Sequence, residues 1–252
     1  LYQLKRDPRR GPADIRLRPL VLEGNEPRTP MSGLKICVEQ NGEQKWLTPL
    51  ELEKLTGVKF LSGLKMESEQ VLQQVKRLAC PSSSLLGKCW KKFRSLFDPP
   101  QEETNVEQIW RGQYYQKEMS IKTPADLILR WIGAPLGWGV FAARSFRPRE
   151  FIAEYTGVVR KWRKADRKNG YCFEYVVTSG KPTPFVIDAR EEAGIARYIN
   201  HSEEGNLEPK LATIDSITHV ILLAKRPIEK GEQLCYHYGP AYWARRPPPI
   251  PL

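Results

Sequence analysis

Arg197-Tyr198-Ile199-Asn200-His201-Ser202, followed by Glu203-Glu204-Gly205-Asn206, is the stretch on which the reading of this chain turns. An apolar, β-branched residue stands between an arginine and an Asn-His-Ser triplet. Asn200 and His201 place an amide carbonyl, an amide NH2 and two ring nitrogens at adjacent positions. A plain core strand has no use for that hydrogen-bonding capacity. A polar ligand site does, and so does a knot in the backbone; the segment alone leaves both readings open.

Working outward, 252 residues allow one large domain or two modest ones, either with a sizeable core. The formal charge of +11 favours acidic partners. The excess is shared, with 21 Lys/Arg against 15 Asp/Glu in residues 1–125 and 19 against 14 in 126–252, so it marks no single nucleic-acid domain. A solvated basic surface is the plainer account, and a nucleic-acid or nucleosome contact the sharper one. Five cysteines (Cys37, Cys80, Cys89, Cys172, Cys235) form no C-x-x-C pair, which argues against structural zinc and a disulfide frame and fits a reducing compartment. No apolar run approaches the roughly 18 residues of a membrane span, and no signal-peptide pattern opens the chain. A soluble, intracellular protein is expected.

Residues 1–46 read as an extended basic arm, with Lys5, Arg6, Arg9, Arg10, Arg16 and Arg18 among early prolines and glycines. From Leu47 helical signals begin. Thr48 is placed to cap a helix, with Pro49 at its first position, Glu51 closing a capping box and Gly57 ending it. Residues 68–79 carry Val71, Leu72, Val75 and Leu78 on one face. Residues 85–97 are basic and amphipathic; packing on a neighbouring helix is favoured over membrane or nucleic acid. With a further helix over 103–119, residues 47–125 read as a helical N-terminal region. Beyond it the texture becomes β, in short runs at 127–132, 140–143, 151–155, 185–187 and 219–224. Residues 158–168 look like a helical insert with a basic face. The proline-rich tail, 244–252, contains Arg245-Arg246-Pro247-Pro248-Pro249-Ile250-Pro251, the pattern of an SH3-type polyproline ligand.

Four motifs follow in order: Gly137-Trp138-Gly139-Val140-Phe141-Ala142, then Glu154-Tyr155-Thr156-Gly157, then the opening stretch, then Gly231-Glu232-Gln233-Leu234-Cys235-Tyr236-His237-Tyr238-Gly239. Each alone is weak, since most Gly-x-Gly pairs are turns and most buried tyrosines are core. Together, over about residues 126–243, they resemble the SET-domain protein-lysine methyltransferases. That resemblance implies an α+β fold: small twisted β-sheets with a knot-like C-terminal crossing, preceded here by the helical region. It is closest to SET enzymes that monomethylate a histone lysine, on Tyr236 and on Ile214-Asp215 and His219-Val220-Ile221-Leu222. The ending Tyr238-Gly239-Pro240-Ala241-Tyr242-Trp243 is similar to bacterial SET proteins, including effectors of chlamydia-like and Legionella-like organisms.

The resemblance further implies S-adenosyl-L-methionine as methyl donor, approached by backbone at Gly137, Trp138 and Gly139. Asn200 and His201 would hydrogen-bond it, Arg197, Tyr155 and Tyr238 would border it, and Trp243 would lie against its adenine. Tyr238 matches the catalytic tyrosine, Tyr155 and Tyr171 further channel residues, and Tyr236 the position that limits product to monomethyl-lysine. The implied substrate is a histone or histone-like basic protein in chromatin, in a host nucleus if the chain is a secreted effector. Glu191, Glu192, Glu203, Glu204 and Glu208 would steer such a peptide. No metal is assigned, because flanking cysteine clusters are missing. His237 stands where the family commonly has aspartate and reads as a tolerated change; His219 reads as a satisfied strand histidine. The rivals are an inactive SET-fold binding module and a nucleic-acid-binding protein acting through the basic arm and helix.

Overall fold

The expected end of the arm is instead a hairpin. In this computed structural model, which describes residues 33–79, 105–121, 126–134, 136–177 and 182–243, β1 (Ile36–Gln40) and β2 (Glu43–Leu47) pair antiparallel. Asn41 and Gly42 make the turn with φ of 52° and 81°. Asn-Gly accepts positive φ at both positions, so its twist matches the strands it joins. Strand β1 then pairs in parallel with β5 (Leu127–Gly133), and β5 pairs antiparallel with β6 (Gly137–Ala142), giving the order β2-β1-β5-β6. Residues 36–47 therefore belong to the sheet that carries the Gly-x-Gly motif. Residues 1–32, the 85–97 helix expectation and the 244–252 tail lie outside the described residues.

The helical region is likewise not a separate unit. Helix α1 (Pro49–Thr56) has the capping box of Thr48 and Glu51 and the left-handed stop at Gly57; α2 (Glu69–Ala79) buries Val71 and Val75 but leaves Leu78 exposed. Between them, β3 (Lys59–Phe60) runs parallel to β11 (Glu192–Ala193), and β4 (Lys65–Met66) runs parallel to β8 (Val158–Lys161). Leu52, Val58, Phe60, Val71 and Val75 share one core with Tyr155, Ile187, Leu222 and Tyr236. Their apolar faces were available to the β-rich part, and burial there removes them from water at about 25 cal/mol per Å².

Strand β8 continues through β10 (Pro182–Asp188) to β9 (Cys172–Val176), in the order β4-β8-β10-β9. The expected helical insert over 158–168 is thus β8 followed by a 3-10 turn, Lys164–Lys168. The one acid in that basic run explains the change. Asp166 is buried, and its carboxylate takes Arg160 Nη1 and Nη2 at 2.8 and 2.6 Å. Arg160 also donates to Asp188 from Nε at 3.0 Å and Nη2 at 2.6 Å, and Asn169 Nδ2 donates to Asp188 at 2.9 Å.

The last sheet has the order β12-β15-β13-β14-β7, from β12 (Asn200–His201), β15 (Cys235–Tyr236), β13 (Leu207–Ile214), β14 (Ile217–Ala224) and β7 (Phe151–Glu154). Strand β15 lies parallel to both β12 and β13, with Asn200 opposite Cys235 and both His201 and Leu207 opposite Tyr236. It is inserted between two strands that follow one another in the chain. Gly205 makes room, since a Cβ there would lie 2.7 Å from Tyr236 Cα and 2.8 Å from the Cys235 carbonyl oxygen. Helix α3 (Asn105–Ile121) covers β13, packing Tyr115 and Met119 on Ala212, Ile221 and Leu223.

Two outcomes test this packing. A Cβ at Gly112 of α3 would stand 2.0 Å from the Thr213 carbonyl oxygen. Overpacking against backbone should outweigh the roughly 1 kcal/mol of helix propensity that alanine adds, so Gly112→Ala is expected to destabilise by about 2 kcal/mol. An unchanged Tm would refute the close approach. For the buried cluster, hydrogen bonds from Arg160 hold the Asp166 carboxyl below its ordinary range. Burial pushes the Asp188 carboxyl up, but Arg160 and Asn169 pull it down further, leaving it lowered. Their stabilisation is complete above an unfolded pKa of about 3.9 and drains away as pH falls through the lower folded values. Asp166→Ala should cost about 3 kcal/mol at neutral pH and lose less than the parent on acidification from about pH 5 to about pH 2, measured by urea denaturation.

Candidate active site

The three C-terminal motifs meet where β15 enters its sheet. Strand alternation sends Tyr236 and Tyr238 to one side and His237 to the other. The Tyr236 and Tyr238 rings stand 4.8 Å apart. Tyr155, just past β7, is buried, packs on Phe173 at 5.4 Å and donates its hydroxyl to the Tyr171 carbonyl at 3.1 Å. Tyr238 donates its hydroxyl to the Ile199 carbonyl at 2.7 Å. Tyr242, on the short helix α4 (Pro240–Trp243), closes edge-on against Tyr238 at 4.8 Å. It is a wall residue that the motif reading missed. Its signal was an aromatic pair four and five residues beyond Tyr238, of which only Trp243 was taken up.

Electrostatically this is a dry aromatic box. Burial raises the Tyr155, Tyr236 and Tyr238 hydroxyls well above the ordinary phenol range, and their neighbours' hydroxyls raise them further. All three stay protonated at neutral pH, so none is a tyrosinate base. Burial likewise pushes the Cys235 thiol up to about 12, which leaves it an inert packing residue.

The second face of the site comes from 197–201 and β6. Asn200 Nδ2 donates to the Trp138 carbonyl at 3.2 Å, tying the Asn-His-Ser segment to the Gly-x-Gly strand. Gly137 has φ of 75°, Gly139 pairs with Arg130 on β5, and the Trp138 indole meets Trp131 edge-on at 5.3 Å. His201 is buried, with its ring 5.3 Å from Tyr238 and 4.8 Å from Trp243. Trp243 stacks at 8° to the Tyr238 plane, 6.2 Å away, and its Nε1 is buried with no hydrogen-bond partner.

Tyr238, Tyr236, Tyr155, Asn200, His201, Trp138 and Trp243 therefore lie in one contiguous region. Tyr171 and Arg197 stand at its rim. Tyr171 is 40% exposed, and the Arg197 guanidinium lies 3.7 Å above its ring. Arg197 Nε is engaged by the Ala189 carbonyl at 2.7 Å. His219, in β14, meets Glu154 at 2.7 Å, as a satisfied strand histidine does.

A β-rich fold with this tyrosine box beside an Asn-His-Ser segment defines a class, and residues 137–239 match the SET domain family. The chain carries a SET domain. Over 116 residues it is 39% identical to the N-lysine methyltransferase KMT5A-A of Xenopus laevis, covering 41% of this chain and 33% of the relative. Over 146 residues it is 34% identical to the histone-lysine N-methyltransferase Set8 of Drosophila melanogaster, covering 54% and 21%. The chain thus spans a third or less of the length of these relatives. Among solved structures, Arabidopsis thaliana SUVH6 in complex with SAM aligns at 28% identity and a TM-score of 0.40, over 45% of this chain and 28% of that one.

Asn200→Ala is expected to lower stability by about 1 kcal/mol, the worth of its bond to Trp138. Amide exchange at Gly139 should quicken with it, because that bond joins two motifs 62 residues apart. Unchanged Tm and exchange would show the two segments to be held by other contacts.

Proposed function

We propose that this chain is a protein-lysine N-methyltransferase, taking methyl from S-adenosyl-L-methionine to a lysine of a histone or histone-like basic protein, with monomethyl-lysine as main product. The tyrosine box of the buried Tyr155 and Tyr236 with the half-buried Tyr238 carries the reading. A lysine side chain entering it sheds water, which disfavours the ammonium and favours the neutral amine that displacement requires. Because the hydroxyls stay protonated, they orient the amine and leave its proton to be lost to water. Holding nitrogen near attack distance removes much of the barrier.

The residues beside the box fit the donor. Asn200 already joins the two segments that would hold its amino-acid end, near the Trp138–Gly139 backbone. His201 and Trp243 offer ring faces, and the buried, unpartnered Trp243 Nε1 calls for an acceptor of the kind an adenine supplies. Bound there, S-adenosylmethionine supplies an electrophilic methyl on a sulfonium. Tyr236 limits the product, since its hydroxyl occupies space that added methyls would need.

A histone substrate would place the chain in chromatin. Nucleic-acid contact through the basic arm, SH3 docking of the tail and service as a bacterial effector rest on sequence pattern alone. An inactive binding module is disfavoured because all four motifs keep their chemistry-bearing side chains.

Radiolabelled methyl transfer to a histone panel tests the reading. Tyr238→Phe should fall by about a hundredfold, and Tyr236→Phe should shift product toward dimethyl-lysine by mass spectrometry. Equal labelling by wild type and Tyr238→Phe would strip Tyr238 of its role. A wild-type product dominated by trimethyl-lysine would overturn the monomethyl assignment, and no labelling of any basic protein would favour the inactive module.

A further inference from the structure

His201, Glu203 and His237 meet beside the tyrosine box, where the His201 ring lies between the rings of Tyr238 and His237, 5.3 and 5.1 Å away. Glu203 Oε1 stands 3.2 Å from His201 Nε2, and its Oε2 stands 3.0 Å from His237 Nε2. The two rings cross edge to face at 5.1 Å. Two imidazole nitrogens and a carboxylate so arranged would also suit a transition metal.

The opposite ring nitrogens decide between these readings. The Tyr238 backbone N–H donates to His201 Nδ1 at 3.1 Å, and the Gly239 N–H donates to His237 Nδ1 at 3.0 Å. A neutral imidazole has one N–H, so each ring accepts at Nδ1 and carries its hydrogen on Nε2, toward Glu203. A metal on either Nε2 would drive that hydrogen onto Nδ1, where it would face a backbone N–H.

We infer that Glu203 is a positioning residue whose carboxylate fixes the tautomers of His201 and His237 and, through His201 Nδ1, holds the backbone of Tyr238 in place. A carboxylate accepts at both oxygens and serves two Nε2–H donors at once. Tyr238 is then anchored at both ends from one segment, its N–H on His201 and its hydroxyl on the Ile199 carbonyl. His237 is more than a tolerated replacement for aspartate: a carboxylate there would repel Glu203, whereas an imidazole donates to it. The catalytic consequence rests on the proposed methyl transfer; the tautomers do not.

The chain has three histidines, so the imidazole 15N spectrum of the full chain resolves three rings. His201 and His237 are expected as Nε2–H tautomers. His219, whose Nδ1 faces Glu154 Oε1, is expected with hydrogen on Nδ1 and serves as an internal reference. Glu203→Gln keeps the shape but has one acceptor, so one of the two rings should change tautomer. Its kcat should fall about tenfold while KM for the methyl donor moves by less than about twofold. Glu203→Asp, with both acceptors kept, should recover most of the loss. Either ring found with hydrogen on Nδ1 in the wild type, or unchanged tautomers in Glu203→Gln, would overturn the inference. So would a shift of both Nε2 resonances on adding Zn2+ alone, which would mark a metal site. If wild type transfers no methyl, the proposed function fails, and the tautomers still decide the clamp.

Discussion

The insertion of β15 between β12 and β13 is the constraint on which the site depends. Those two outer strands are joined by only a few residues, so the chain must turn away and return around a later segment. Gly205 lies against the inserted strand, and a Cβ there would stand only 2.7 Å from Tyr236 Cα. Parallel pairing on both sides then fixes the register: His201 and Leu207 both face Tyr236. A slip of one residue in β15 would exchange Tyr236 and Tyr238 for Cys235 and His237 on the box side. Long-range pairing thus sets the chemistry more than any local preference does.

That same alternation gives the strand two jobs. One face presents phenols to a dry box, where burial keeps every hydroxyl protonated. The other presents an imidazole to Glu203. Asn206 secures the crossing from its own side, donating to the Gln233 carbonyl at 2.8 Å and accepting from the Cys235 N–H at 3.0 Å. The Gly205-Asn206 pair is therefore a structural latch.

What the sequence revealed follows the range of the signals. The capping box of α1 and the buried face of α2 are local, so spacing alone locates them. The Asn41-Gly42 turn was equally local, yet the surrounding basic and proline-rich composition drew residues 36–46 into an arm. Two-residue strands such as β3 and β4 carry no period and could not be seen. Their partners, β11 and β8, lie about a hundred residues away, so the helical region appeared separable when it shares the main core. Residues 158–168 misled in another way. Their charges read as one exposed basic face, whereas Asp166 turns inward to hold Arg160. The tyrosines and the Asn-His-Ser segment were legible because resemblance supplied the long-range relation that spacing lacks. Tyr242 and the partnership of Glu203 with His237 had no such guide.

The geometry also revises how a basic partner would be recognised. Five glutamates near the site were expected to steer it, but four are already engaged. Glu192 pairs with Lys65 at 2.9 Å and Lys59 at 3.8 Å, Glu191 lies 3.9 Å from Arg190, Glu208 lies 3.3 Å from Lys210, and Glu203 holds its two histidines. Such pairs are worth little as stability, but those with lysine or arginine still cancel a charge at the range over which steering acts, while Glu203 is held by hydrogen bonds to neutral rings. With a net charge of +11 behind them, they leave little field to attract a basic peptide. On the proposed function, selection of a lysine would then fall on the box itself, where shape and desolvation act at contact distance and long-range attraction is not required.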